Sequence, residues 1–134
     1  MKPAIAILLA LGALPAAADD VRVPASPAYR AECGSCHVPY PPQLLPAESW
    51  RALMARLDRH FGSDASLEAK TAAEIGSYLE RHAGRRAAPA GPEPRITETR
   101  WFRKEHRNEI PAGKKPADCG ACHAGAERGI YDDD

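Results

Sequence analysis

The sequence predicts an all-α protein with little or no β structure, and three observations support this prediction. In one segment apolar residues repeat at i, i+3, i+4 and i+7, as on one face of a helix: Trp50, Leu53, Met54 and Leu57. A second segment has a face of the same kind, formed by Ile75, Tyr78 and Leu79. Thirteen prolines and ten glycines in 134 residues predict irregular loops between such segments.

The first predicted helix begins at Ser26 and Pro27, because Ser is a favoured N-cap and Pro is favoured at the first helical position. It runs through Glu32 and carries Cys33 at its end. A Pro-rich run over 38–42 follows and cannot continue a helix.

Two further helices follow this loop. One opens at Pro46 and ends at Gly62, with His60 near its C-terminal end on the apolar face. The next begins at 71–74, where Thr-Ala-Ala-Glu has the form of a capping box, and it ends at Gly84.

A fourth predicted helix contains Trp101 and His106. Thr97 or Thr99 is its expected cap, and Pro111 ends it. The last residues, Tyr131 to Asp134, are predicted to form a solvated acidic tail.

Composition divides the chain into a signal peptide (1–18), an N-terminal domain (19–86), a linker (87–94) and a C-terminal domain (95–134). In the signal peptide Lys2 precedes an almost unbroken apolar run, and three alanines at 16–18 offer a cleavage site. The alternative is a retained N-terminal anchor. The run is too short for a membrane span and no second apolar stretch follows, so we expect an exported chain without a membrane span.

Charge and composition restrict the possible partners. The full chain has 18 basic and 18 acidic residues, so the chain without Lys2 has 17 against 18. With no basic excess, nucleic acid is not an expected partner. Aromatic residues are only 6% of the chain, and the 95–134 segment is too short for an ordinary core. We expect cofactors to complete the core, and we expect this segment to lean on the first domain.

One five-residue string occurs twice and uses all four cysteines of the chain: Cys33-Gly34-Ser35-Cys36-His37 and Cys119-Gly120-Ala121-Cys122-His123. C-x-x-C-H is the attachment signature of c-type haem. Two thiols at this spacing can each add to a vinyl group of one porphyrin, and the imidazole that follows then lies over the iron.

The sequence therefore predicts two covalently attached haem c groups. The expected attachment residues are Cys33, Cys36, Cys119 and Cys122, and the expected proximal iron ligands are His37 and His123. A backbone carbonyl of the loop after His37 could accept the Nδ1 hydrogen of that imidazole. Haem c is attached outside the cytoplasm, so the exported chain is predicted to be periplasmic.

Two further histidines are candidates for the distal positions. His60 closes an apolar stripe in the domain of the first string, and His106 follows an aromatic helix face just before the second string. Met54 competes with His60, because many cytochromes c use a thioether ligand, although packing in the helix is the other interpretation. His82 lies in the last turn of its predicted helix, where the helix dipole favours a cationic His without any metal. Both alternatives remain open.

If His60 and His106 bind, both irons are bis-His and have no open coordination position. The predicted function is then an electron-transfer relay and not an enzyme. The opposing hypothesis is a haem enzyme of the peroxidase or sulfur-compound oxidase type with one displaceable ligand. A zinc or dithiol protein that uses the four cysteines is a third hypothesis.

Other motifs accompany the two strings in a fixed order. They are Pro-Pro-x-Leu-Leu-Pro-Ala-x-Ser-Trp (41–50), His-Phe-Gly (60–62), and Arg-Ile-Thr-x-Thr-x-Trp-Phe (95–102) with His106. Over essentially the whole cleaved chain, this order resembles the small bacterial dihaem cytochromes c called DHC.

The resemblance implies an N-terminal domain similar to class I cytochromes c, with His in place of Met, and a small C-terminal domain that wraps the second haem. It implies that His37 and His60 are the ligands of one iron and that His123 and His106 are the ligands of the other. It also implies redox protein partners, namely an oxygen-binding monohaem cytochrome c and a membrane cytochrome b as donor. We expect a monomer.

The predicted fourth helix also has a basic face, formed by Arg100, Arg103, Lys104 and Arg107. This face could steer an acidic partner, pair with haem propionates, or simply be solvated.

Overall fold

The structure is a computed structural model, and it describes residues 26–131. The predicted signal peptide at 1–18, its cleavage site and the acidic residues at 132–134 lie outside the described residues.

The described part of the chain is helical. Its four α-helices are α1 (Pro27–Cys33), α2 (Ala47–Met54), α3 (Ala69–Arg81) and α4 (Arg100–Glu105). Short 3₁₀ turns cover Pro42–Leu44, Leu57–Arg59, Ile96–Glu98, Cys119–Ala121 and Ala126–Arg128. Between residues 26 and 131 there is no β-strand, only an isolated bridge between His60 and Ser63. The all-α prediction is confirmed.

The main core lies where α1 and α2 pack on α3. Its buried members are Tyr29, Leu45, Trp50, Ile75, Tyr78 and Leu79. The three α3 residues in this set are those that the helical spacing predicts as its buried face. The Trp50 indole nitrogen donates to the Pro42 carbonyl at 2.7 Å, which satisfies the polar atom of a buried ring.

Two predicted helix starts differ in accuracy. Ser26 caps α1 as expected, and its hydroxyl accepts from the Tyr29 amide at 3.3 Å. The predicted capping box at 71–74 is wrong, because α3 begins two residues before Thr71, at Ala69. Glu68 is its N-cap, and the carboxylate accepts from the Thr71 amide at 3.3 Å.

The predicted continuation of α2 to Gly62 is also wrong. The helix ends at Met54, and a 3₁₀ turn precedes His60. Phe61 (φ 50°) and Gly62 (φ 94°) then take left-handed conformations. The Ala65 amide donates to the Leu57 carbonyl at 2.8 Å and closes the loop. His60 is therefore presented by a closed loop and not by a helix.

The fourth helix is capped by Thr99, one of the two predicted caps, whose hydroxyl accepts from the Phe102 amide at 3.1 Å. It ends at Glu105 and not at Pro111, and His106 is its C-cap. The four basic residues of the predicted face are all exposed.

The segment from 95 to 131 leans on the first part of the chain. The Arg86 guanidinium lies 4.5 Å from the centre of the Trp101 ring and donates to the Gln43 carbonyl at 3.2 Å. The Arg95 guanidinium lies 4.2 Å from the centre of the Phe61 ring. The division into two domains with a linker at 87–94 stays a prediction. None of the helices within 26–131 is long and apolar enough to cross a membrane.

Candidate haem-binding sites

The first candidate site brings His37 and His60 together. Their ring centres lie 6.3 Å apart, and the ring planes differ by 23°. The Nδ1 atom of His37 lies 2.7 Å from the Val38 carbonyl, so the predicted backbone partner is present. The Tyr40 ring is stacked on the His37 ring, with centres 4.7 Å apart and planes 24° apart. These contacts fix one nitrogen and one face of the His37 ring, which leaves Nε2 for a metal.

His60 is held differently. The Phe61 ring meets it edge to face at 4.8 Å, and its Nδ1 is buried without a hydrogen-bond partner in the described structure. Burial and the neighbouring His37 lower the pKa of His60. A neutral imidazole is the form that binds a metal, so this environment favours ligation.

The first string starts at the end of α1. Cys33 is half-buried there, and Cys36 is exposed beyond it. Burial raises the pKa of the Cys33 thiol to about 11. A β-carbon on Gly34 would lie 2.3 Å from the Arg30 carbonyl oxygen, so the tight turn after the helix requires glycine at this position.

The second candidate site brings His106 and His123 together, with ring centres 6.2 Å apart and planes 80° apart. The Nδ1 atom of His106 lies 3.1 Å from the Phe102 carbonyl. Its ring is stacked on the Phe102 ring, with centres 4.1 Å apart and planes 13° apart. Tyr131 meets His123 edge to face at 5.4 Å.

An open cleft lies at this second site. Cys119, Cys122 and His123 of the second string line it, together with Phe102 and His106. The string itself is a 3₁₀ turn, and the His123 amide donates to the Cys119 carbonyl at 2.8 Å. This turn gathers both thiols and the imidazole at one cleft.

The separation within both histidine pairs is that of two imidazoles on opposite sides of one metal. A metal–imidazole bond is about 2.0–2.1 Å and the ring centre lies roughly 1.1 Å beyond the nitrogen, so such ring centres are about 6.3 Å apart. All four cysteines are unpaired. Within 26–131, no group of three or more His, Cys, Asp or Glu side chains is placed to hold a metal ion without such a cofactor.

Residues 29–131 match the family model described as dihaem cytochrome c, DHC. This chain belongs to the dihaem cytochrome c family. No protein with a curated function matches it significantly.

Solved structures of two organisms are similar to this dihaem cytochrome c. Two are Rhodobacter sphaeroides proteins: a DHC with 43% identity and a TM-score of 0.71, and a diheme cytochrome c with 40% identity and a TM-score of 0.74. The matches cover 81% and 82% of this chain and 99% of each of those chains. A diheme cytochrome type c from Shewanella baltica is 42% identical, with a TM-score of 0.66, and the match covers 79% of this chain and 86% of that one.

Family membership implies two covalently bound haem c groups and electron transfer. The residues of this dihaem cytochrome c fit those groups. Each string offers two free thiols, and each string's histidine has an opposing imidazole at the separation that one iron requires.

The competing ligand candidates, Met54 and His82, make other contacts. Met54 is the last residue of α2 and packs against the main core. His82 is the C-cap residue of α3, and its ring lies 5.0 Å from that of Tyr78. Both positions agree with the packing and capping interpretations of these two residues.

Sequence reasoning missed three aromatic residues that orient the imidazoles: Tyr40, Phe102 as a stacking partner, and Tyr131. The prediction of a solvated Tyr131 is wrong, because its ring contacts His123 and its hydroxyl is buried. Burial raises the pKa of Tyr131 and also that of Tyr40, the latter to about 12. Two of these contacts had a signal in the sequence, because Tyr40 is close to His37 and Phe102 is close to His106.

Proposed function

We propose that this dihaem cytochrome c is a periplasmic electron carrier that passes single electrons between redox proteins through two bis-His, low-spin haems. The observation that carries the proposal is the equal spacing of the two histidine pairs, 6.3 and 6.2 Å between ring centres. An electron carrier is favoured when two protein ligands bind the iron from opposite sides. The spacing of the histidine pairs supports such ligation at both strings.

Each bound haem c supplies an iron that takes up and releases one electron. His37 and His60 would hold the iron of the first haem, and His123 and His106 would hold that of the second. Irons held by two imidazoles each would have no place for a peroxide or another substrate, which favours a carrier over an enzyme. Imidazole in place of methionine also lowers the reduction potential.

The proposed partners are proteins. An oxygen-binding monohaem cytochrome c as acceptor and a membrane cytochrome b as donor suit a periplasmic carrier of this family. The signal-like segment at 1–18 supports export.

The test is the absorption spectrum of the holoprotein, oxidised and reduced, with and without CO. We expect sharp low-spin bands, no methionine charge-transfer band and no response to CO. A high-spin fraction that binds CO in the unmodified protein contradicts the proposal.

Two single substitutions assign the ligands. His60→Ala and His106→Ala should each convert about half of the haem to a high-spin form that binds CO, since each removes one of four imidazoles. His82→Ala and Met54→Leu are the matched controls, and both should keep the unmodified spectrum. If His60→Ala leaves both haems low-spin, His60 is not a ligand.

A further inference from the structure

Tyr40 contacts the first candidate haem site and the segment that leads into the second. It lies three residues after His37, in the loop between α1 and the Pro42–Leu44 turn. Its ring covers one face of the His37 imidazole, with centres 4.7 Å apart and planes 24° apart. A flat contact of this kind restrains rotation of the imidazole about its bond to a metal.

The other end of the same side chain reaches the residues just before the second string. The Tyr40 hydroxyl donates to the Ala117 carbonyl at 2.7 Å, across 77 positions of sequence. Ala117 precedes Cys119 by two residues.

Tyr40 is itself anchored in the main core. The Tyr29 hydroxyl donates to the Tyr40 carbonyl at 2.7 Å, and Tyr29 is 2% exposed. The Tyr29 ring packs on that of Tyr78, with centres 5.3 Å apart. Because buried packing is rigid, the link from His37 to Ala117 has a fixed support.

We propose that Tyr40 couples the two haem sites of this protein. Its ring sets the orientation of the His37 imidazole, and its hydroxyl fixes the second string and completes a route from His37 to Cys119. This inference rests on the proposed bis-His carrier function. In the coupled step one electron leaves one iron and reaches the other, while Tyr40 is neither oxidised nor reduced.

The route from His37 to Cys119 contains two non-covalent steps. It has one van der Waals contact, from His37 to Tyr40, and one hydrogen bond, from Tyr40 to Ala117. The remainder is covalent chain through Asp118 to Cys119. Electron tunnelling is attenuated less by covalent and hydrogen bonds than by empty gaps, so removing the hydrogen bond should slow the transfer.

Two substitutions at Tyr40 separate its two roles. Tyr40→Phe keeps the stacked ring and removes the hydrogen bond, so we expect a several-fold slower interhaem rate with unchanged absorption spectra. Tyr40→Leu removes both contacts, so the low-spin EPR signal of the first haem should also shift. Tyr78→Phe, which removes a hydroxyl from the same aromatic cluster, is the control and should keep both the rate and the signal.

The rate is measured on the half-reduced holoprotein, from exchange broadening of haem methyl NMR resonances extrapolated to zero protein concentration. An unchanged rate in Tyr40→Phe, or equal slowing in Tyr78→Phe, overturns the route. An unchanged EPR signal in Tyr40→Leu overturns the orienting role. Failure of the carrier function is recognised separately, because the unmodified protein would then contain high-spin haem that binds CO.

Discussion

At the scale of single residues, the two histidine pairs share a separation but differ in orientation. The planes of His37 and His60 are 23° apart, whereas those of His106 and His123 are 80° apart. A separate aromatic ring is stacked on one member of each pair, Tyr40 at the first and Phe102 at the second. The angle between axial imidazoles sets the splitting of the iron d orbitals, so two sites with equal ligands should differ electronically.

We therefore expect two different EPR signals from the oxidised holoprotein. Near-parallel imidazoles should give a well-resolved rhombic low-spin spectrum, and near-perpendicular imidazoles a single broad feature at larger g. Phe102→Leu removes the ring stacked on His106, so it should move the large-g feature alone, while Met54→Leu should move neither. Two identical signals in the unmodified protein would contradict the orientations.

At the scale of the helix, the two glycines in and after α3 illustrate opposite roles. Gly76 lies within the helix, and a β-carbon there would meet no atom within 4 Å. Gly84 follows the helix, and its amide donates to the Leu45 carbonyl at 2.9 Å. A β-carbon on Gly84 would lie 2.0 Å from the Gln43 carbonyl oxygen, which is backbone and cannot swing away.

Alanine at these two positions should change stability in opposite directions. Gly84→Ala should lower the free energy of unfolding by about 1–3 kcal/mol, the usual cost of overpacking. Gly76→Ala should raise it by up to about 0.8–1.0 kcal/mol, because alanine is the better helix former. Denaturant unfolding of the oxidised holoprotein measures both, and equal effects of the two substitutions would contradict the close approach at Gly84.

The elements also show what the sequence could predict. The Ser26 cap and the buried face of α3 depend on neighbouring residues, and the sequence predicts them correctly. For α4 the sequence left two candidate caps, and the structure has Thr99. The end of α2 could not be predicted from neighbouring residues. The helical spacing of apolar residues continues through Leu57, but the Ala65 amide donates to the Leu57 carbonyl and closes a loop there.

The candidate site follows the same division. The two strings and the candidate histidines are visible in sequence, since residue type and spacing carry their chemistry. The pairing of His106 with His123 was inferred from a family resemblance and from sequence order. The angle between two imidazole rings and the hydrogen bond from Tyr40 to Ala117 both depend on residues far apart in sequence. No local sequence pattern predicts them.

At the scale of the whole molecule, contacts of individual side chains hold the segment from 95 to 131 against the first part of the chain. Arg86 contributes one of them, the contact with the Trp101 ring, and its hydrogen bond to the Gln43 carbonyl holds the guanidinium on the first part of the chain. Its neighbour Arg85 is exposed. A dihaem protein requires the two parts to keep a fixed spacing, because electron transfer between them falls steeply with distance.

Arg86→Ala should therefore loosen the C-terminal segment without removing a haem ligand. A cation–π contact contributes about 0.5–1 kcal/mol, so the free energy of local opening should fall by about that amount. Hydrogen exchange measures this at the amides of Phe102 and His106, which are hydrogen-bonded in and after α4. Exchange at Leu79 in the main core should stay unchanged, as should the absorption spectrum. Arg85→Ala is the matched control, and equal exchange at Phe102 in the two variants would show that Arg86 does not hold the segment.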